Sequence, residues 1–283
     1  MRFELDADQL DFAASLESLL SSADTVKVAR AWADGDHRPG LRLGARLAEL
    51  GVTSLAAEPV FLAVAFERLG YHAVPGPWVE SVAYLGREEG IATVSVPPHV
   101  PYALDADVAD VHLVGDTLAT GIGALHTSVD RTRRLFEVTG EGAVDRAAFD
   151  RAVLATSAQL LGAGERLLSD SVAYVQQRRQ FGREIGSYQA IKHALADVRI
   201  ALDFARPLVF GAALGEVSVS AAKVGAGDAA YLASRTGLQV HGAIGYTAEL
   251  DLSLWITKVR ALVGAWGTPS WHRARLLQEL GAS

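Results

Sequence analysis

Apolar residues recur at helical spacing toward both ends of this chain and at strand spacing between them. Leu10, Phe12, Leu16 and Leu19 or Leu20 fall on one helical face. Asp6, followed three residues later by Gln9, has the spacing of a capping box that would open that helix. Further helical stretches cover 41–50 and 59–69, each expected to close on a glycine, Gly51 and Gly70. Residues 1–88 therefore read as an N-terminal helical domain of short helices.

Between Gly90 and Glu141 the period changes. Ile91 to Val96 alternates around β-branched residues, and Val111–Val114 and Thr117–Thr120 flank Gly115-Asp116 as a hairpin would. Leu135–Val138 reads as another strand. A reduced β domain of four or five strands is expected over 89–144, with the prolines at 97, 98 and 101 marking a connection inside it. Beyond Asp145 helical periodicity returns in longer runs. Leu154, Ala158, Leu161, Leu168, Val172 and Val175 form one seam, and Ile191, Leu195, Val198, Leu202 and Ala205 form a second. Pro207 should kink the second helix or end it early. Two more helices, 216–241 and 250–280, complete a four-helix bundle over 145–283. The fold class is mainly α with a small β insertion.

Composition narrows the chemistry. Half of the 283 residues are hydrophobic and 21% are charged, as in a folded globular chain. A net charge of -7 leaves no broad basic face for nucleic acid, so an anionic ligand would be held by local arginines. The chain has no cysteine, which removes disulfides, iron–sulfur clusters, thiolate metal sites and cysteine nucleophiles. Glu4, Asp6 and Asp8 interrupt the place where a secretion signal needs an apolar run. A soluble, cytoplasmic protein is expected.

Several motifs carry less than their letters suggest. Val224-Gly225-Ala226-Gly227-Asp228 imitates a dinucleotide fingerprint but lies within helical sequence, where small residues serve close helix packing. The eight histidines show no HxxxH or HExxH pairing, so no metal site is expected, and no GxSxG elbow occurs. Two other segments carry more. Residues 178–197, RRQFGREIGSYQAIKHALAD, place arginines at a helix end, a Phe181-Gly182 turn and a new helix opening at Gln189, Ile191 and His193. Guanidinium and backbone N–H donors at such a junction suit a pyrophosphate, although arginines at a helix C-terminus also complement its dipole. Residues 239–249, QVHGAIGYTAE, offer Gln239 and a glycine turn that a ligand could approach closely, or an ordinary helix–helix turn.

Together these segments resemble the flavin-contacting segments of the acyl-CoA dehydrogenase family, in its order and with roughly its separation, and the helix–β–helix plan extends the resemblance over most of the chain. The resemblance implies FAD bound at a subunit interface, with both segments gripping the adenine dinucleotide end of a neighbour's cofactor. Arg178 would meet the pyrophosphate; Gln180, Phe181 and Ile185 would line the cofactor; Gln189 would lie near the adenine end; Gln239 with the Gly242-Ala243 backbone would close the opposite side. Ala243 stands where the family usually has a second glycine.

The departures from the family point elsewhere. Its catalytic glutamate commonly precedes Gly-Thr, whereas this chain reads Trp266-Gly267-Thr268, and an indole has no basic lone pair. The alternative base position reads Arg151-Ala152-Val153. The middle-domain threonine–glutamate and small-Ser-Asp motifs are missing, and the segment is short. This combination resembles the non-catalytic subunit of the heteromeric acyl-CoA dehydrogenases of actinobacterial steroid degradation. A full-length catalytic partner would then carry the acyl-CoA, two plus two chains would assemble, and an electron-transfer flavoprotein would take the electrons. Two alternatives stand beside this reading: an active homomeric enzyme with a relocated base at Glu165, Glu249 or Asp251, and a scaffold or acyl-CoA binding protein without flavin.

Overall fold

The computed structural model describes residues 5–281; residues 1–4, Glu4 among them, and 282–283 at the end of the expected bundle lie outside it. Four helices come first: α1 (Ala7–Ser22), α2 (Thr25–Ala33), α3 (Arg38–Glu49) and α4 (Pro59–Tyr71). The capping box that opens α1 is complete, with Gln9 N donating to Asp6 Oδ1 at 2.9 Å and Asp6 N to Gln9 Oε1 at 3.0 Å. Gly51 follows α3 in the left-handed region at φ 83°, as a terminating glycine should.

Gly70 is different. It lies inside α4, and the chain turns left-handed only at Ala73, φ 50°. A Cβ at Gly70 would run into the carbonyl of Gln159, and one at Gly162 would run into the carbonyl of Glu67. Both contacts reach across to α5 (Arg146–Gln177), so this glycine serves helix-to-helix approach and does not terminate α4.

A π-helical turn, Val79–Tyr84, leads into the strands β1 (Ala92–Ser95), β2 (Ala103–Leu104), β3 (Val111–Val114), β4 (Thr117–Leu118), β5 (Gly121–His126) and β6 (Leu135–Thr139). They form two three-stranded sheets, β1-β3-β4 and β2-β6-β5. The expected Gly115-Asp116 hairpin is present, with Val114 opposite Thr117. Six strands exceed the expected four or five because β2 is only two residues long and β5, GIGALH, is exposed along nearly its whole length and shows no alternation. Lys258, buried on the later helix α8 (Leu252–Gly264), donates to Asp130 Oδ2 at 3.1 Å and Thr132 Oγ1 at 3.0 Å, fixing the loop before β6 against the helical bundle.

Asp145 caps α5 by accepting from Ala147 N and Ala148 N. A small hairpin follows, β7 (Arg179–Gln180) with β8 (Arg183–Glu184), then α6 (Gln189–Ala213) and α7 (Val219–His241). Pro207 does not end α6: the helix runs six residues past it, carrying Val209 and Phe210 into the core. Burial of that last turn outweighs the backbone bond the proline forfeits. Gly225 lies within α7, and its missing Cβ makes room for Leu208 of α6. The expected helix over 250–280 is instead two, α8 and α9 (Pro269–Gly281), parted where Trp266 and Gly267 take φ 57° and 104°. The core is continuous from α1 to α8. Among the described residues, no helix is long and apolar enough to cross a membrane.

Candidate functional site

At the end of α5 the backbone of Arg178 is tied in both directions: its N–H donates to Tyr174 O at 2.9 Å and its carbonyl accepts from Ile185 N at 2.8 Å. The second bond closes the β7–β8 hairpin, and Arg179 belongs to that hairpin, not to the helix end. Phe181 and Gly182 form its two-residue tip, both left-handed, at φ 51° and 83°. Positive φ at both positions is the type I′ arrangement, for which Asn-Gly or Gly-Gly is the usual sequence. A phenylalanine there costs roughly 1 kcal/mol of backbone strain, and its ring is 92% exposed. The fold gains nothing from that ring.

The guanidinium of Arg183 lies 3.9 Å from the centroid of Tyr188, whose hydroxyl donates to Gln180 O at 3.3 Å. Among the described residues, no carboxylate pairs with Arg178. Directly after Tyr188, α6 opens at Gln189 with no side-chain cap and no acid in its first turn. Its free N–H groups and dipole make that end attractive to an anion.

The second segment sits at the same end of the bundle. α5, α6 and α7 run up, down and up through short links, so α5 and α7 finish together. α7 ends at His241, Gly242 turns at φ 64°, and a 3-10 turn covers Gly242–Tyr246. Gln239, Gly242, Ala243 and Ile244 are exposed, while Gly245 is buried against Leu238 O. The two segments are joined by side chains. The ring of Tyr174 on α5 stacks on His241, with centroids 4.1 Å apart and planes at 26°. The structure thus gathers Arg178, Gln180, Phe181, Ile185, Gln189, Gln239, Gly242 and Ala243 at one end of the bundle.

A different arrangement surrounds Trp266. It is 1% exposed and packs on Tyr84 at 5.3 Å and Phe149 at 5.6 Å between ring centroids. His272 Nε2 donates to the Trp266 carbonyl at 2.9 Å, and its Nδ1 meets Ser220 Oγ at 2.9 Å. Burial pushes His272 down to about 4, so the ring is neutral and serves as a strut. Ala152 is buried as well. The space around Trp266 itself is filled with side chains, and a cleft lined by His99, Phe149 and Trp271 opens beside it.

The carboxylates considered as relocated bases lie elsewhere. Glu165 accepts from Arg199 at 2.7 Å on both oxygens. Burial alone would raise its pKa, but Arg199 and Arg206 overcome that and hold it below the ordinary value. Asp251 pairs with Arg30 at 2.7 Å, and Glu249 is exposed. The pattern of the sequence gave no reason to single out Glu80. That residue is 1% exposed on the π-helical turn, neither carboxylate oxygen has a hydrogen-bond partner, and the nearest guanidinium, Arg133, is 4.0 Å away. Burial raises its pKa against smaller opposing pulls from Arg133 and the Trp266 indole. Its one sequence signal is a lone acid within the apolar run WVESVAY.

The sequence profile of the acyl-CoA dehydrogenase C-terminal domain matches residues 140–281, which include both exposed segments and the Trp266 turn. Over 244 residues, 77% of this chain and 78% of the relative, the sequence is 31% identical to acyl-CoA dehydrogenase IpdE2 of Mycolicibacterium smegmatis. The chain belongs to the acyl-CoA dehydrogenase family. The family's fold is equally clear in solved structures. A chain of the ChsE4-ChsE5 complex from Mycobacterium tuberculosis superposes with a TM-score of 0.82 at 20% identity, covering all of both chains. A chain of the Tcur3481-Tcur3483 steroid ACAD does so with 0.82 at 19%, covering 98% of this chain and 99% of that one. Helical domains around a small β region are therefore the acyl-CoA dehydrogenase architecture, and the family's chemistry is of the oxidoreductase kind.

Proposed function

We propose that this chain is the non-catalytic subunit of a heteromeric, FAD-dependent acyl-CoA dehydrogenase and completes the FAD site of a full-length catalytic partner across their interface. One observation carries the reading: the strained, fully exposed Phe181 hairpin with its unpaired Arg178 coexists with a Trp266 region packed solid. The first arrangement is built to touch something outside the chain. The second leaves no room at Trp266 for an acyl chain, and the carboxylate nearest to it, Glu80, is sealed at 1% exposure.

The residues present fit the cofactor's charged end. Arg178 contributes a charge-assisted phosphate contact, the uncapped start of α6 at Gln189 adds N–H donors, and Phe181 supplies an apolar face. Gln180 and Ile185 flank that face. Gln239 and the Gly242-Ala243 backbone approach from α7, where the missing side chain at Gly242 permits close contact. FAD bound on the partner supplies the hydride acceptor for α,β-dehydrogenation. This chain orients the far end of the cofactor and excludes water from it. Ile200 and Phe204 on α6, with Tyr231 and Leu232 on α7, are large exposed apolar side chains that suit burial against such a partner.

The relatives named as a two-protein complex and as a steroid ACAD support two further parts of the reading: a partner chain of different sequence, and a bulky, steroid-derived acyl-CoA held on it; two plus two chains complete the proposed assembly. The same reading makes an electron-transfer flavoprotein the acceptor and the cytoplasm the location. Expressed alone, the chain should be colourless and inactive; co-expressed with a full-length homologue it should give a yellow, active complex. Arg178→Ala should lower flavin content in that complex without dissolving it. A yellow, active homo-oligomer of this chain would refute the proposal.

A further inference from the structure

We infer that the Tyr174–His241 stack is a positioning brace that sets the distance between the two FAD-gripping segments, so that flavin affinity in the partner's site depends on a pair standing behind both segments. The inference rests on the flavin-completing role proposed above and goes beyond it by naming residues that control the grip from behind.

Three observations converge on the pair. First, each ring belongs to the last turn of its helix: the Tyr174 carbonyl receives the Arg178 N–H at 2.9 Å, and His241 immediately precedes the Gly242 turn. Second, His241 is fixed in orientation. Its Nδ1 donates to Gly237 O at 2.7 Å, which leaves the ring plane one way to lie, and the tyrosine ring covers it at 4.1 Å. Third, α5 and α7 are brought together one turn earlier by a small residue. A Cβ at Gly237 would sit 3.2 Å from Ser171 Oγ, closer than side chains normally approach, so bare backbone faces α5 there.

The stack therefore continues a close helix contact up to the points where both segments leave the bundle. Among the described residues, no hydrogen bond, ion pair or ring contact joins the two segments further out. The hairpin is held by Ile185 N to Arg178 O and by Tyr188, and the glycine turn by Gly245 against Leu238. Each segment is thus held locally and starts from the helix end behind it, the far end of the second being tied as well by Arg30 of α2, which donates to Ala248 O and Glu249 O at 3.2 Å. Relative motion of the helix ends would separate the two halves of the grip while leaving each half intact. A cofactor held at both ends binds best when the grips are pre-spaced, and loss of pre-spacing appears as lost affinity.

The experiment uses the co-purified complex with its full-length partner, stripped of flavin and reconstituted with FAD, and reads the dissociation constant together with complex assembly and thermal midpoint. Tyr174→Leu and His241→Ala should each weaken FAD about tenfold, the scale of one lost aromatic stack, with assembly unchanged. His241→Phe, which keeps a ring, should recover most of that loss. The pair should also be non-additive with Arg178→Ala: once one grip is gone, the spacing between grips matters less. If Arg178→Ala weakens FAD while Tyr174→Leu and His241→Ala do not, the brace is wrong and the flavin-completing role survives. If Arg178→Ala also has no effect, that role fails first. If His241→Phe is as weak as His241→Ala, the stack is not what sets the spacing. Should Tyr174→Leu fail to assemble, the two His241 variants decide the question.

Discussion

His272 reaches the carbonyl of Trp266 at 2.9 Å, tying the first turn of α9 to the left-handed residue that parts it from α8. The imidazole is neutral in the folded protein, pushed down to about 4 by burial, and returns to about 6.5 on unfolding. The unfolded chain therefore binds the extra proton between those values, and folding stability falls as pH drops from 6.5 toward 4. The loss should total roughly 3 kcal/mol. Denaturant midpoints at pH 7 and pH 5 should differ less for His272→Gln than for the parent chain.

Lys223 should give a slope at the alkaline end. It is buried, faces no carboxylate among the described residues, and donates to Leu262 O at 3.0 Å and Val263 O at 2.9 Å at the end of α8. Burial pushes its pKa down to about 7 from 10.5. Here too the unfolded chain binds the additional proton, so stability should rise with pH from about 7 toward 10. Chemical denaturation across that range should show a one-proton slope that Lys223→Met removes. The variant loses two carbonyl contacts as well, which fixes its offset but not its slope.

Much of the fold was legible wherever a few neighbouring residues decide the structure. The Asp6–Gln9 capping box, the Gly115-Asp116 hairpin, the Phe181-Gly182 turn and the start of α6 at Gln189 are all local decisions, and each is found as read. What failed was decided from a distance. Gly70 terminates a helix by local rules, but its role is set by Gln159 on another helix. Pro207 breaks a helix by local rules, yet burial of Val209 and Phe210 carries α6 past it. β5 escaped because alternation reports a half-buried strand, and this one is largely uncovered. Of the candidate site, the residue types came from resemblance, whereas the stack that joins the two segments pairs residues far apart in sequence. Glu80 left only a faint signal, since its interest comes from burial without a hydrogen bond, and no string of letters records that.

The Gly70–Gly162 crossing yields a prediction in which two effects compete. Alanine is favoured over glycine inside a helix by about 1 kcal/mol. At Gly162 the new methyl would meet the carbonyl carbon of Glu67 and the backbone nitrogen of Tyr71, both 2.8 Å away. Backbone cannot rotate aside as a side-chain tip can, so overpacking of about 3 kcal/mol should prevail. Gly162→Ala should lower the thermal midpoint; Gly264→Ala, where an added Cβ would meet no other part of the fold, should not.

A glutamate placed at position 266 should not by itself give the chain acyl-CoA oxidation. Trp266→Glu removes an indole packed on Tyr84 and Phe149 and adds a second buried acid near Glu80. The expected cost is about 3–5 kcal/mol, read as a lower unfolding midpoint, with no acyl-CoA oxidation by the isolated variant. Glu80→Gln should stabilise the chain instead. Its raised pKa means that ionisation opposes folding increasingly above pH 4.5, so the gain should appear at pH 7–8 and fade at low pH.

The left-handed phenylalanine at the hairpin tip sets two kinds of selection against each other. Glycine or asparagine at position 181 would fit the turn better, and a search for heat resistance conducted on the isolated chain would be rewarded for installing either. Each round of such improvement would leave a sturdier protein with a blunter tip. Phe181 thus marks a site where the chain's history is recorded as a small, uncorrected inefficiency, one that only an assay performed in company can show to be worth keeping.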